Sequence, residues 1–170
     1  MRIQKFIALA AVGMGTLVGA DAIAASASAS SENFLTKAIS NSQFEVESSK
    51  LALEKSQNKD VKQYAQMMIE SQTKILNTLT TYKQSTMGAA QKDMDKAHQD
   101  MMKKLEPLVT DNFNNEYSRM QQDTDKEMVV LFSEYAEKGD NADLRNFAAG
   151  ALPQLKENKA QADKLDTNSH

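Results

Sequence analysis

The sequence predicts an all-α fold, a single bundle of four long helices. Three observations carry the prediction. Only 6 Gly and 2 Pro interrupt 170 residues. The chain is 41% hydrophobic and 25% charged, a balance that suits long helices better than a turn-rich sheet protein. In four separate stretches, apolar or small residues recur every three or four positions, the spacing that lines one face of a helix.

The first segment, residues 1–25, reads as an export signal. Met1-Arg2-Ile3-Gln4-Lys5 is a short basic start, Phe6 to Ala20 is an apolar run, and Ala22-Ile23-Ala24 fits a small-x-small cleavage site. The apolar run is broken by Gly13, Gly15 and Gly19 and falls short of the ~20 residues needed to span a bilayer. A cleaved signal peptide and a periplasmic mature chain are therefore expected, with cleavage after Ala24, Ala25 or Ala27. Removing the leader leaves roughly 145 residues, enough for one domain with one core. Residues 26–31 alternate Ala and Ser and are expected to form a flexible linker, leaving 32–166 as the bundle domain.

The first helix is expected from about residue 32 to Ser56, with Ser31-Glu32-Asn33 as capping chemistry and an inward stripe of Leu35, Ala38, Ser42, Glu45, Ser49 and Ala52. After the break Asn58-Lys59-Asp60, the second carries Val61, Ala65, Met68, Gln72, Ile75, Leu79 and Tyr82. The third starts near Thr110 or Asp111, carries Phe113, Tyr117, Gln121, Asp125, Met128, Phe132 and Tyr135, and stops at Gly139. The fourth, from about Ala142, carries Leu144, Ala148, Ala151, Leu155, Asn158, Ala162 and Leu165, with Pro153 inside it as an expected bend.

Between the second and third helices, Ser85 to Pro107 holds a short helical pattern through Ala90, Met94, Ala97, Met101 and Leu105. A connection of that length can run back along the bundle and leave the second and third long helices parallel, which is ferritin-like topology, whereas an up-down-up-down bundle needs only a short turn.

Glu45, Gln72, Asp125 and Asn158 each interrupt an otherwise apolar or small seam near the middle of its helix. In a bundle of equal helices they fall at one level and form a central polar cluster. Such a cluster is either a hydrogen-bonded structural layer or a binding site, because unpaired burial of these groups costs several kcal/mol.

Phe44-Glu45-Val46-Glu47 with Lys50-Leu51-Ala52, Val61-Lys62 with Tyr64-Ala65-Gln66 and Met68, Phe113 with Tyr117, Leu131-Phe132, and Phe147-Ala148-Ala149 leading to Leu152-Pro153-Gln154-Leu155 follow in order and spacing along the chain. In these pieces the chain resembles an exported ferritin-like family of undefined role, domain of unknown function 4142. The resemblance spans about residues 32–165. The resemblance implies Asp-His pairs on the second and third helices and a His on the fourth. Those positions here are Ser71-Gln72, Thr124-Asp125 and Asn158, so the family's usual histidines are replaced while Glu45 keeps the acidic residue. The remaining donors are all oxygen and suit a hard divalent cation rather than iron, copper or zinc.

A second metal reading concerns Met94, His98, Met101 and Met102, whose spacing would put thioethers and an imidazole on one short helix, a donor set for Cu(I) or Ag(I). Methionines packing that helix against the bundle are the simpler account. Cofactor expectations end there: a divalent cation at most.

Other classes are disfavoured. The net charge of −3 becomes one unit more negative without Arg2, Lys5 and Asp21, and the lysines interleave with acids, so no nucleic acid partner is expected. With no Cys, thiol catalysis and thiolate metal sites are absent. There is no Glu-x-x-His motif of the di-iron kind, and the two histidines are His98 and the terminal His170. The expectation is a non-catalytic binding or stress-related envelope protein, not an enzyme. It would not stay inserted in a membrane after cleavage, and its partner would be another envelope protein. Composition leaves its oligomeric state open.

Overall fold

Helix-forming Ala, Leu, Gln, Glu, Lys and Met dominate between the few breaks, and among its described residues the computed structural model shows five helices: α1 (Gly19–Lys55), α2 (Lys59–Met87), α3 (Lys96–Leu105), α4 (Thr110–Lys138) and α5 (Ala142–Ala162). The structure describes residues 19–87 and 94–165, with side chains from residue 29 onward. Most of the leader, Ala90 and His170 lie outside the described residues, which contain no strand. No described helix is long and apolar enough to cross a membrane.

Contacts between named residues fix the topology. α1 pairs in reverse order with α2 (Ser42 with Gln72, Thr36 with Lys83) and with α4 (Ser31 with Tyr135, Ser49 with Tyr117). α2 and α4 are both antiparallel to α1 and so parallel to each other, the ferritin-like order. α5 returns against α4, with Phe147 beside Phe132 and Gln122 bonded to the Ala162 carbonyl. α3 lies along α1 in the crossover. His98 sits by Ser40 at one end, and at the other Lys55 Nζ donates to the carbonyls of Glu106 and Leu108.

The stripes point inward as expected. Every stripe residue of α1 and α4 is buried; on α2 only Tyr82, and on α5 only Ala151 and Leu165 beyond its end, are half-exposed. Pro153 is accommodated within α5.

Three local expectations are corrected. The segment 26–31, expected to be a flexible linker, continues α1, which starts at Gly19 rather than near residue 32. The reason is local: no Gly or Pro interrupts the chain from Ala20 to Lys55, and alanine is the best helix former. Ser31 is therefore not a cap. Its Oγ donates to Asp140 Oδ1 at 2.6 Å and lies 2.8 Å from the Tyr135 hydroxyl, tying α1 to the turn between α4 and α5. Met94, expected on the short helix, precedes it, because Asp95 caps α3 by accepting from the His98 N–H. Gly139 does stop α4, but not through a left-handed conformation: its φ is −59°, and an added Cβ would lie 2.5 Å from the Tyr135 ring.

Candidate functional site

The core is divided. One apolar cluster gathers Phe34, Ile39, Leu79, Phe132 and Leu155 with their neighbours; the other gathers Phe44, Val61, Met68, Phe113 and Tyr117 with theirs. Between the two lies a polar layer in which Glu45, Gln72, Asp125 and Asn158 are all fully buried. Each arrives from a different long helix because each occupies the middle of its stripe.

The layer contains more than these four. Ser42 Oγ donates to Gln72 Oε1 at 3.0 Å, and Gln121 Nε2 donates to Ser48 Oγ at 2.9 Å. The Tyr64 hydroxyl donates to Asp125 Oδ2 at 2.7 Å, and those of Tyr117 and Ser49 meet at 2.8 Å. Asn158 accepts from Gln154 Nε2 at 2.9 Å and donates to Ser71 Oγ at 3.1 Å. The structure thus brings Glu45 and Asp125 together as a facing pair. Gln72 and Asn158 share their level but make their bonds to Ser42, Ser71 and Gln154. Sequence reasoning did not single out Tyr64, Ser48 or Gln121 as part of the layer. The signal available was the density of serines at helical spacing on α1, small polar residues that leave room for polar neighbours.

Among the described residues no basic side chain forms an ion pair with either acid, and Lys159 acts on Asp125 only through its charge. Both oxygens of Glu45, Oδ1 of Asp125 and Nε2 of Gln72 lack a hydrogen-bond partner in the layer. Two carboxylates cannot donate to each other, so their contact closes only when one carries a proton. Burial pushes the Glu45 carboxyl well above its usual range, and the neighbouring Asp125 charge pushes it further. Burial also raises Asp125, to about 7, with the Tyr64 and Glu45 hydrogen bonds holding it down in part. The pair therefore titrates as a unit, with both carboxyls shifted toward their protonated forms, and the Tyr64 O–H donates to Asp125 Oδ2.

Among the described residues, no group of three or more His, Asp or Glu side chains is arranged to hold a metal ion. The donors in the layer are two carboxyl groups with amide and hydroxyl oxygens, which fit a hard cation by chemistry and fall short of a transition-metal set by number and softness.

The second predicted group is spread over the start of α3. His98 is buried, its Nδ1 lies 3.0 Å from both Asp95 Oδ1 and Ser40 Oγ, and its ring packs 5.2 Å from that of Phe44. Met101 and Met102 follow it at i+3 and i+4, while Met94 sits before the cap; all three methionines pack against the second apolar cluster.

Two clefts lie along the seam between α2 and α5, where the helices touch far less extensively than in the α1–α2 and α4–α5 pairs. One, of about 360 Å³, is lined by Asp60, Tyr64, Met67, Gln161, Lys164 and Leu165 among others. The other, of about 390 Å³, includes Met67, Ser71, Phe147 and Gln154. Tyr64 and Ser71, which bond the buried Asp125 and Asn158, form their inner walls.

The sequence model of the family described as domain of unknown function (DUF4142) matches residues 17–165. No curated protein matches the chain. Among solved structures, one described as CopM in the Cu(II)-bound form is similar, with a TM-score of 0.65 over 79% of this chain and 93% of that one, at 16% identity. At that identity the likeness is one of fold.

Proposed function

The chain belongs to the DUF4142 family, and from that premise we propose that it is an exported, non-catalytic binding protein of the periplasm whose ligand site is the central polar layer and whose ligand is a hard divalent cation. The observation that carries this reading is the Glu45–Asp125 pair. Two buried acids with no ion-pair partner among the described residues cost stability that apolar side chains of similar volume would restore, so their presence points to a function rather than to the fold. Their free oxygens are the ligand type that calcium, magnesium and manganese take. The basic start, apolar run and Ala22-Ile23-Ala24 support export. A non-catalytic role is supported by the lack of a Glu-x-x-His motif and of an imidazole beside any nucleophile in the layer.

The test is the metal content of the untagged mature protein, measured by mass spectrometry beside thermal unfolding with and without chelator. About one calcium, magnesium or manganese per chain, lost in Asp125→Asn, is expected. Metal-free protein whose unfolding no divalent ion shifts would reduce the layer to structure.

One observation favours a second reading, copper or silver at α3. With Nδ1 of His98 held by Asp95, Nε2 is the nitrogen left to bind, the arrangement in which a carboxylate orients a metal-binding imidazole. CopM, which shares the fold, is described in a Cu(II)-bound form. Cu(I) or Ag(I) titration should then lose at least tenfold in affinity in His98→Ala, about 1.4 kcal/mol; unchanged affinity removes this reading.

A further inference from the structure

We propose that the groove between α1 and α4 is an interface between two copies of this chain, in which the two α4 helices cross antiparallel with Val130 at the two-fold axis and Lys126 of each copy pairs with Glu134 of the other. This face lies across the bundle from the α2–α5 seam. None of the polar-layer residues lines it, so the interface stands apart from the cation reading.

Two adjoining clefts, of about 500 and 390 Å³, form the groove and share Leu131 and Glu134. Here α1 and α4 touch less extensively than the α1–α2 and α4–α5 pairs do. Val130 stands in the groove and is 49% exposed; among the described residues the only other exposed large apolar side chain is Val109, which precedes α4. A single exposed valine is ordinary, and it is the charges around Val130 that point to a partner. Lys126 and Glu134 lie four residues before and four after it, are exposed, and share its face of the helix. Among the described residues neither forms an ion pair, although earlier on α4 Arg119 pairs with both Glu116 and Asp123. Asn41 of α1 also lines the groove. It is buried, and its Oδ1 has no hydrogen-bond partner, a group that donors from a surface closing over the groove would satisfy.

Opposite charges spaced equally on either side of one residue are what a two-fold axis asks for, since the residue four places before it then meets the residue four places after it on the other chain. An antiparallel crossing at Val130 makes two Lys126–Glu134 pairs around an apolar centre of Val130 against Val130, with Leu131 beside it. A parallel alignment in the same register sets Lys126 on Lys126 and Glu134 on Glu134, so charge selects the antiparallel one. Further out, Asp123 comes level with Glu137 of the second copy, and the Arg119 guanidinium, 2.8 Å from Asp123 Oδ2, offsets that acidic pair. The face as a whole is balanced. Lys37, Lys126 and Lys138 offset Asp123, Glu127 and Glu134 along the two clefts, so no surplus of one sign holds two copies apart. In such a dimer the α2–α5 clefts lined by Tyr64 and Ser71 both face outward and stay open.

The experiment is sedimentation velocity of the untagged mature protein over a range of concentration and salt. A concentration-dependent dimer that weakens as salt rises is expected. Lys126→Glu and Glu134→Lys, both at exposed positions and verified as helical by circular dichroism, should each weaken self-association at least about tenfold, because each sets like charges together twice across the axis. Mixed in equal amounts, the two variants should form a dimer again, since one chain then offers acids at both positions and the other offers bases. Val130→Lys should abolish the dimer, whereas Val109→Lys, at the other exposed valine, leaves it unchanged. A dimer that Lys126→Glu leaves intact, or a mixture that stays monomeric, overturns the proposal. So does a wild-type chain that is monomeric at every concentration; the groove then belongs to a different protein, which crosslinking from position 130 in cells would reveal as a product of another mass.

Discussion

Metal-free protein is expected to unfold at a higher temperature at pH 5 than at pH 8. The sign follows from the acidic pair. Asp125 and Glu45 have folded-state pKa values raised above those of the unfolded chain, Asp125 to about 7 and Glu45 in the same direction through burial and then through the Asp125 charge. The folded state therefore holds protons that the unfolded state releases above about pH 4. Stability falls as pH rises from there through the folded values, by up to about 1.4 kcal/mol per pH unit for each proton so held. Glu116, held down to about 2 first by its hydrogen bond to Arg119, works the other way and matters only on the acid side of about pH 4. Calorimetric unfolding across this range should show the trend in the wild type. It should be nearly flat in Glu45→Gln combined with Asp125→Asn, where neutral amides replace the titrating groups. A wild-type protein at least as stable at pH 8 as at pH 5 would show that the pair does not share a proton.

Truncating Phe34 is expected to be the most damaging single change in the first apolar cluster. Its ring is 1% exposed, stacks on Tyr135 at 4.1 Å and meets Phe132 edge-on at 5.1 Å, so one side chain joins the middle of α1 to the last turns of α4. Removing a buried aromatic of this kind costs about 3–5 kcal/mol, the lost transfer energy plus the cavity left behind. For a domain of this size that is a fall in Tm of roughly 10 °C. The loss should be felt first near the anchor that Ser31 makes to Tyr135 and Asp140, and amide exchange should accelerate there before it does around Phe113 and Tyr117, which lie across the polar layer. A cost under about 1 kcal/mol would mean that the cluster closes over the gap.

The stripes, the order of the long helices and the position of the crossover were legible because each follows from local periodicity and chain length. Ser42, Glu45 and Ser49 at helical spacing on α1, and Gln121 and Asp125 on α4, already mark polar residues on an inward face. Two boundaries were misjudged for local reasons. The Ala/Ser run lacks any breaker and continues the helix it precedes, and Asp95 captures the His98 N–H and so shortens α3. Tyr64 illustrates what pattern alone misses. It sits beside the stripe of Val61, Ala65 and Met68, and only the parallel placement of α2 and α4 carries its hydroxyl to Asp125.

The sequence by itself determined that this is an all-helical bundle of the DUF4142 family, with one acid or amide near the middle of each long helix and no third carboxylate or histidine among those four positions. Only the tertiary structure decided that Glu45 and Asp125 face one another, that serines and Tyr64 take up part of the layer's hydrogen bonds while both Glu45 oxygens are left without one, and that a cleft in the loosely packed seam reaches Tyr64 beside Asp125. The division has a physical reason. Periodicity tells which face of a helix avoids water, but which buried groups meet, and whether they must share a proton, depends on the rotation and level of four helices packed together.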